Sequence, residues 1–224
     1  MKDIRKDIEF SMALRGQNLR FRSTWGLFSP EGIDEGTRLL IEELEISEDA
    51  TSLDLGCGYG VIGLVMAKLA PQGRVHMVDK DFVAVEYAKK NAEANGVKNA
   101  EVYLSNGFSH VRPAGLSTSY VQPTGFSISS SSTPQSLDAR SHTAGNIQFD
   151  VIASNLPAKP SKELYQILFE DAKKHLKPGG RFYVVVISGL KEFIKRSFGE
   201  VFGNCEKLKQ GRTHCVFMAE KPVN

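Results

Sequence analysis

The feature that most constrains this chain is a glycine-rich turn at residues 54–63, with glycine at positions 56, 58, 60 and 63. Residues 51–55 are typical of a short β-strand, and apolar residues recur at helical spacing from Val61 to Leu69. A strand, a glycine turn and a helix in this order form the ligand-holding end of a βαβ unit. Glycine is needed there because the backbone turns sharply and the ligand approaches closely. The sequence therefore predicts an α/β fold with a nucleotide-like ligand at this turn.

Strand and helix patterns alternate along the rest of the chain. Further strands are predicted at 74–78, 100–104, 149–153, 181–187, 206–209 and 213–219. Helices are predicted at about 33–44, 83–95, 162–176 and 190–198. The last two strands flank Gln210-Gly211-Arg212, which is a hairpin signal. This order predicts a Rossmann-like, mostly parallel seven-stranded sheet with helices on both faces and an antiparallel C-terminal hairpin.

Two carboxylates sharpen the interpretation of the glycine turn. Asp79 ends the next predicted strand, about twenty residues after the glycines, where a carboxylate accepts both hydroxyls of an adenosine ribose. Asp54 is expected at the lip of the turn, where its charge would repel a pyrophosphate and suit a cationic ligand. S-adenosylmethionine contains adenosine, a sulfonium and an ammonium group. The two carboxylates therefore favour this cofactor over a dinucleotide.

Length and composition limit the remaining possibilities. The 224 residues fit one α/β domain, so residues 1–224 are assigned to a single domain. A net charge of +2 permits a nucleic-acid partner without requiring one. Three cysteines without a CxxC pair favour a reducing compartment and give no metal-binding pattern, so no metal is expected. The charged N-terminus lacks the apolar core of a signal peptide, and no apolar run reaches membrane-spanning length. A cytoplasmic protein with no membrane partner is expected.

One segment departs from the alternating pattern. Residues 109–148 are rich in Ser, Thr, Pro and Gly and contain neither Lys nor Glu. Such a composition cannot bury enough apolar surface to offset its ordering entropy. A structureless connection of this length is also rare in a compact domain. The segment is interpreted as a flexible insertion between the third and fourth predicted sheet strands, 100–104 and 149–153. A solvated loop and a substrate lid both stay open as its role, and the fold is expected to tolerate its removal.

Several motifs together resemble those of a known enzyme class. Besides the glycine turn and Asp79, they are residues 25–37, residues 105–108 (Ser-Asn-Gly-Phe) and residues 154–157 (Ser-Asn-Leu-Pro). In these motifs the chain resembles class I S-adenosylmethionine-dependent methyltransferases. Within that class it is similar to the small-domain group, which includes ribosomal RNA guanine-N2 methyltransferases. The resemblance covers nearly the whole chain outside the Ser-rich segment. It implies the fold, the cofactor and methyl transfer, but not the substrate.

The resemblance also implies which residues hold the cofactor. The glycine turn would wrap the methionine part, and Asp79 would take the ribose. Asn106 would reach the adenine amino group with Phe108 packed nearby, while residues before the first predicted helix would lie near the methionine. The full set implied is Phe28, Thr37, Asp54, Gly56, Cys57, Gly58, Gly60, Asp79, Lys80, Asn106, Gly107 and Phe108.

The catalytic residues implied by the resemblance are Asn155, Leu156 and Pro157. In the family, the Asn side-chain oxygen and the next backbone carbonyl accept hydrogen bonds from a planar amine and aim its lone pair at the methyl carbon. The family pattern is Asn-Pro-Pro-aromatic, and here Leu156 replaces the first proline and Ala158 the aromatic residue. Pro157 still favours an extended conformation at Leu156.

Ala158 puts a nucleobase substrate in doubt, because it lacks a ring that could stack on a flipped base. Another ring would have to replace it, and Tyr165 and Phe28 are the candidates. Arg15, Arg20 and Arg22 form either a phosphate-contacting edge or a solvated basic segment.

The expected function is S-adenosylmethionine-dependent methylation of an amine nitrogen on an RNA base, with ribosomal RNA as the partner. Alternatives left open are a small-molecule or protein-amide substrate and a non-catalytic cofactor-binding module. An NAD-dependent oxidoreductase is a further alternative, against which Asp54 and the turn at Asn155 argue.

Overall fold

The computed structural model describes residues 6–112, 147–158 and 160–223. The strands are β1 (Ile8–Leu14), β2 (Gln17–Ser23), β3 (Thr51–Leu55), β4 (Arg74–Asp79), β5 (Ala100–Leu104), β6 (Phe149–Asn155), β7 (Leu176–Ile187), β8 (Glu206–Gln210) and β9 (His214–Glu220). The helices are α1 (Glu35–Glu43), α2 (Val61–Leu69), α3 (Phe82–Ala94), α4 (Lys162–His175) and α5 (Lys191–Phe202). A short 3₁₀ turn, Ser188–Leu190, precedes α5.

Seven strands form one sheet in the order β5-β4-β3-β6-β7-β9-β8. The first five of these strands run parallel, and β9 lies antiparallel to both β7 and β8. The chain moves outward from β3 through β4 to β5, then returns to β6 on the other side of β3. The carboxyl ends of β3 and β6 therefore border the crevice at which open α/β sheets bind ligands. The predicted mostly parallel seven-stranded sheet with an antiparallel C-terminal hairpin is confirmed.

The sheet is buried on both faces because helices cover both. One apolar cluster joins it to α1, α2 and α3, and a second joins it to α4 and α5. Successive residues of β7 enter different clusters, Val184 the second and Val185 the first, as the two-residue period of a strand requires. This explains why the strands are continuous apolar runs. None of the helices in the described part of the chain is long and apolar enough to cross a bilayer.

An N-terminal hairpin, β1 with β2, was not predicted from the sequence. Its two-residue turn is Arg15-Gly16, with φ of 48° and 76°, the left-handed pair that favours Asn-Gly in such turns. Asn91 of α3 and Asn95, the residue that follows α3, bind the outer edge of β2. The Asn91 Oδ1 accepts from the Arg22 N–H at 2.7 Å, and the Asn95 Oδ1 accepts from the Arg20 N–H at 2.9 Å. These side chains continue the hydrogen-bond ladder that a third strand would otherwise provide.

The basic residues of this hairpin are largely committed to the protein itself. The Arg15 guanidinium donates to the carbonyl oxygens of Ile41, Glu42 and Leu44 at 3.0, 3.2 and 2.9 Å, which caps the C-terminus of α1. Arg22 pairs with Glu9 at 2.9 Å. The interpretation of the segment as a phosphate-contacting edge is therefore wrong for Arg15, whose guanidinium faces α1.

The start of the long strand β7 differs from the prediction. Strand β7 begins at Leu176, earlier than predicted, because Leu176 pairs with Phe149 across an irregularity in the β6 register.

Residues 113–146, which make up most of the Ser-rich segment, lie outside the described residues. The flexibility and dispensability expected of that segment stay predictions.

Candidate active site

A cavity of about 520 Å³ lies at the carboxyl ends of β3, β4 and β6. Its volume is within the roughly 300–1,000 Å³ range of small-molecule sites. The walls come from residues 26–28, the glycine turn, residues 79–81 and residues 154–158. Most of the predicted site residues line it, namely Phe28, Thr37, Gly56, Cys57, Gly58, Asp79, Lys80, Gly107, Asn155, Leu156 and Pro157. The exceptions are Asp54, Gly60, Asn106 and Phe108.

The glycines of the turn have two different structural roles. Gly56 and Gly58 line the cavity with φ of 76° and 55°, conformations that other residues rarely adopt. Gly60 lies behind the cavity wall, as the N-cap residue that precedes α2, with φ of 97°. A Cβ at Gly60 would come within 2.6 Å of the Met77 Cε, and one at Gly63 within 2.5 Å of the Met77 Cγ. Gly60 and Gly63 therefore allow α2 to pack closely on β4.

Asp79 is held at the cavity wall by two backbone donors. Its Oδ2 accepts from the Gly58 N–H at 2.9 Å, and its Oδ1 accepts from the Asp81 N–H at 2.9 Å. Each carboxylate oxygen can accept a further hydrogen bond. The side chain is therefore preorganised to receive a pair of ligand hydroxyls.

Asp54 lies beneath the turn and not at its lip, which corrects the sequence-based expectation. Its side chain is fully buried and absent from the cavity wall, and its Oδ2 accepts from the Gly63 N–H at 2.7 Å. Its Oδ1 has no hydrogen-bond partner among the described residues. Burial, with a smaller contribution from the charge of Asp79, raises the pKa of Asp54 to about 7. A cation in the cavity would favour the ionised form of this carboxyl.

The thiol of Cys57 stays protonated in the cavity wall. Its burial, reinforced by the charges of Asp54 and Asp79, raises the pKa of the Cys57 thiol well above its ordinary value. The Cys57 Sγ donates to the Gly58 carbonyl oxygen at 3.5 Å. Cys57 therefore contributes a small apolar surface, not a nucleophile.

The two residues expected to contact adenine are not in the cavity wall. Asn106 is exposed beside it, and its carbonyl oxygen accepts from the Ser109 Oγ at 2.7 Å. The Phe108 ring stacks on His175 of α4, with centroids 4.6 Å apart and planes inclined by 22°. Gly107 lies between them with φ of 57°, in the left-handed region. Ser105 and Gly107 form the wall here instead.

The second side of the cavity is formed by the turn that follows β6. The Asn155 Nδ2 donates to the Thr37 Oγ1 at 2.9 Å and to the two Asp34 carboxylate oxygens at 3.3 and 3.4 Å. The Leu156 N–H donates to the Val185 carbonyl oxygen at 3.0 Å. Among the described residues, no hydrogen bond reaches the Asn155 Oδ1 or the Leu156 carbonyl oxygen. Asp34 lines the cavity too, although no sequence motif marked it as a site residue.

The two candidate rings have different environments. Tyr165 is 3% exposed, and its hydroxyl donates to the Pro157 carbonyl oxygen. It supports the wall from behind, so the suggestion that it replaces the missing aromatic ring is wrong. Phe28 is 68% exposed and lines the cavity. The loop that follows Phe28 is tied to the glycine turn, because the Tyr59 hydroxyl lies 3.2 and 3.0 Å from the carbonyl oxygens of Ser29 and Gly32.

The fold and this cavity are those of a Rossmann-like methyltransferase, with a glycine turn, a carboxylate at the end of β4 and an asparagine at the end of β6. The chain belongs to the methyltransferase small domain family, which matches residues 18–119 and 134–218. The resemblance inferred from the sequence motifs is confirmed.

The chain is also similar to individual proteins and to solved structures. The chain is 33% identical over 215 residues to the uncharacterized protein YbxB of Bacillus subtilis, covering 95% of this chain and 90% of that protein. It is 29% identical over 212 residues to the ribosomal RNA small subunit methyltransferase C of Klebsiella pneumoniae, covering 91% of this chain and 52% of that enzyme. A solved structure with a TM-score of 0.73 and 26% identity is the T. thermophilus 16S rRNA N2 G1207 methyltransferase in complex with AdoMet and guanosine. It covers 96% of this chain and 50% of its own, so the chain spans about half the length of these named rRNA methyltransferases.

Proposed function

We propose that this protein is an S-adenosylmethionine-dependent methyltransferase that acts in the cytoplasm on an amine nitrogen of an rRNA base. The observation that carries the proposal is that two acceptors to which none of the described residues donates, the Asn155 Oδ1 and the Leu156 carbonyl oxygen, belong to a turn in the wall of the cavity that Asp79 also lines. The similarity to a 16S rRNA methyltransferase whose structure holds AdoMet and guanosine supports it.

The chemistry of the cavity fits S-adenosylmethionine. The fixed carboxylate of Asp79 offers acceptors for the ribose hydroxyls. Gly56 and Gly58 carry no side chain that would fill the space needed by the methionine part. The buried Oδ1 of Asp54 beneath the turn favours a positively charged group above it. When bound, the cofactor supplies an electrophilic methyl group.

The residues of the chain act on the acceptor by positioning. A planar amine can donate one N–H to the Asn155 Oδ1 and the other to the Leu156 carbonyl oxygen. These bonds turn its lone pair perpendicular to the amine plane and draw electron density toward nitrogen. Such alignment and electrostatic complementarity lower the barrier without a strong base. Leu156 can serve in this role despite the missing proline, because its N–H is held by Val185 and Pro157 restrains its backbone.

Phe28 provides the ring that position 158 lacks. It is exposed in the same cavity, and Ala158 leaves space on the opposite turn. Stacking of a base on an aromatic side chain contributes about 1–3 kcal/mol and tolerates different bases. A ring at this position favours a nucleobase over a protein amide or an aliphatic amine as the acceptor.

The test is transfer of labelled methyl from S-adenosylmethionine to separated rRNA, protein and metabolite fractions. We expect label in rRNA, on an exocyclic base nitrogen. Phe28→Ala should lower kcat/KM for rRNA by about tenfold, the loss of one stacking contact. Phe82→Ala is the matched control, because Phe82 is 63% exposed but outside the cavity wall, and it should retain wild-type activity. Label confined to protein or metabolites, or found on oxygen or carbon, would contradict the proposal.

A further inference from the structure

The amide of Asn155 can face the cavity with either of its two ends. A rotation of the side chain by half a turn exchanges the oxygen, which accepts hydrogen bonds, with the NH₂ group, which donates them. Only the oxygen can receive an N–H from an amine acceptor. Some part of the protein must therefore select one orientation, and this question rests on the function proposed above.

Asp34 makes that selection because an ionised carboxylate can only accept hydrogen bonds. Its two oxygens lie 3.3 and 3.4 Å from the Asn155 Nδ2. With the amide reversed, the Asn155 oxygen would face the carboxylate, which is repulsive, and the two contacts of the Asn155 Nδ2 with Asp34 would be lost. The Thr37 hydroxyl, 2.9 Å from the Nδ2, adds a second acceptor but can also donate, so it does not discriminate alone.

The carboxylate of Asp34 is itself fixed in place. It caps the N-terminus of α1, where its Oδ1 accepts from the Thr37 N–H at 3.0 Å. Helix α1 is anchored by Leu40 and Ile41, which are buried in the first apolar cluster. The partner that orients Asn155 therefore belongs to a rigid element, not to a mobile loop.

We infer that Asp34, assisted by Thr37, is a positioning residue that holds the Asn155 oxygen toward the cavity and so makes the site specific for acceptor edges that carry N–H donors. A ring nitrogen or carbonyl edge, which can only accept, meets an acceptor and is rejected. The specificity of the site thus depends on a residue that does not itself contact the reacting nitrogen.

Asp34→Asn is the sharpest variant. Asparagine is as good an N-cap as aspartate, so α1 should keep its cap and the melting temperature should stay close to that of the wild type. Its oxygen takes the place of the Oδ1 that forms the cap, and its NH₂ takes the place of the Oδ2, which lies 3.4 Å from the Asn155 Nδ2. The Asn155 Nδ2 then loses one of its two carboxylate contacts and meets an NH₂ group that repels it, so the balance should shift toward the reversed amide. Glu35→Gln is the matched control, because it removes a neighbouring negative charge whose partners are Thr213, Arg212 and His214 and not Asn155.

The first measurement is hydrogen exchange of the Asn155 side-chain NH₂ by NMR in the ligand-free protein, with the signal assigned by its absence in Asn155→Ala. In the wild type and in Glu35→Gln these protons should be protected by Asp34 and Thr37. In Asp34→Asn exchange should accelerate about tenfold or more, as expected for the loss of a bond of about 1.4 kcal/mol. Equal exchange in Asp34→Asn and the wild type would overturn the inference.

The second measurement is turnover. Asp34→Asn should lower kcat about tenfold or more, since a reversed amide removes a well-aimed acceptor, while KM for the RNA changes little. An unchanged kcat would likewise overturn the inference. If the wild-type protein methylates no RNA, the proposed function fails, yet the exchange experiment still decides the orientation of Asn155. The two failures are therefore distinguishable.

Discussion

The two sides of the cavity are assembled in opposite ways. The glycine-turn side uses contacts within one βαβ unit, with Gly63 bonded to Asp54 nine positions away and Gly58 bonded to Asp79 twenty-one positions away. The Asn155 side uses contacts that span most of the chain, 121 positions to Asp34 and 118 to Thr37. The first side can be recognised in a short stretch of sequence, whereas the second exists only when α1 has docked beside β6. In the proposed function, a local motif therefore carries cofactor binding, and tertiary packing carries the choice of acceptor.

The largest expected effect is on the free energy of unfolding, and it tests the cost of ionising Asp54 beneath the glycine turn. The folded-state pKa of Asp54 is raised to about 7, above its unfolded value of about 3.9, so the folded state holds the proton more tightly. The stability from this group is fully present below about pH 4 and is lost as the pH rises through about 7. In Asp54→Asn this dependence disappears. The free energy of unfolding of the wild type, relative to Asp54→Asn, should fall by as much as about 4 kcal/mol between pH 4 and pH 8.

Urea unfolding at several pH values measures this difference directly. Asp54→Asn keeps an oxygen for the Gly63 N–H, so it also separates the cost of ionisation from the loss of that bond. Parallel stability profiles in the two proteins would mean that Asp54 ionises at no cost and that the glycine turn stores no electrostatic strain.

The next effect concerns ligand affinity on the same side. Asp79→Ala removes two charge-assisted hydrogen bonds to the ribose and should weaken S-adenosylmethionine binding by about 2–4 kcal/mol. Calorimetry measures the change, and Asp171→Ala on the exposed face of α4 is the control for removal of a carboxylate. An unchanged affinity in Asp79→Ala would mean that Asp79 does not contact the cofactor. Cofactor binding could then not be assigned to the glycine-turn side of the cavity.

The smallest of the three effects, in free energy, concerns the Asn155 side. Asn155→Ala should leave cofactor affinity nearly intact and lower turnover by roughly 100-fold, the scale for one well-aimed electrostatic partner. Asn155→Asp keeps an acceptor oxygen but replaces the Nδ2 donor by a second carboxylate oxygen that the Asp34 carboxylate repels, so turnover should fall here too. Both are measured by calorimetry and single-turnover transfer. Full activity in Asn155→Ala would mean that Asn155 does not position the methyl acceptor.

The sequence predicted the strands of the main sheet and the glycine turn because their signals are local. It placed Asp54 at the lip of the turn because residue order does not reveal depth. Asn106 and Phe108 lie outside the cavity wall because Asn106 is exposed to solvent and Phe108 packs on His175, a contact that no short stretch of sequence reveals. Tyr165 was one candidate ring, but packing of α4 buries it.

The N-terminal hairpin shows a different limit of sequence reasoning. Its turn, Arg15-Gly16, lacks the usual asparagine or aspartate, so the chain carries only a weak hairpin signal there. The partners that complete its edge, Asn91 and Asn95, are about 70 positions away on a helix, as the separations of 69 and 75 residues record. Helix side chains that bind a strand edge do not show the alternation of apolar and polar residues by which a strand is recognised in a sequence.

The number of asparagine contacts to β2 is limited by the geometry of a helix that lies beside a strand. Four residues of an α-helix advance about 6.0 Å along its axis, and two residues of a strand advance about 6.8 Å. Asn91 and Asn95 therefore match Arg22 and Arg20 with a small error, but the error accumulates with every added pair. Asn99, the next asparagine at this spacing, lies beyond the end of α3 and binds carbonyl oxygens of Ala67 and Ala70 instead. A helix and a strand are commensurate here for only two rungs, so the contacts end before Asn18, which carries the next amide of β2 on this edge.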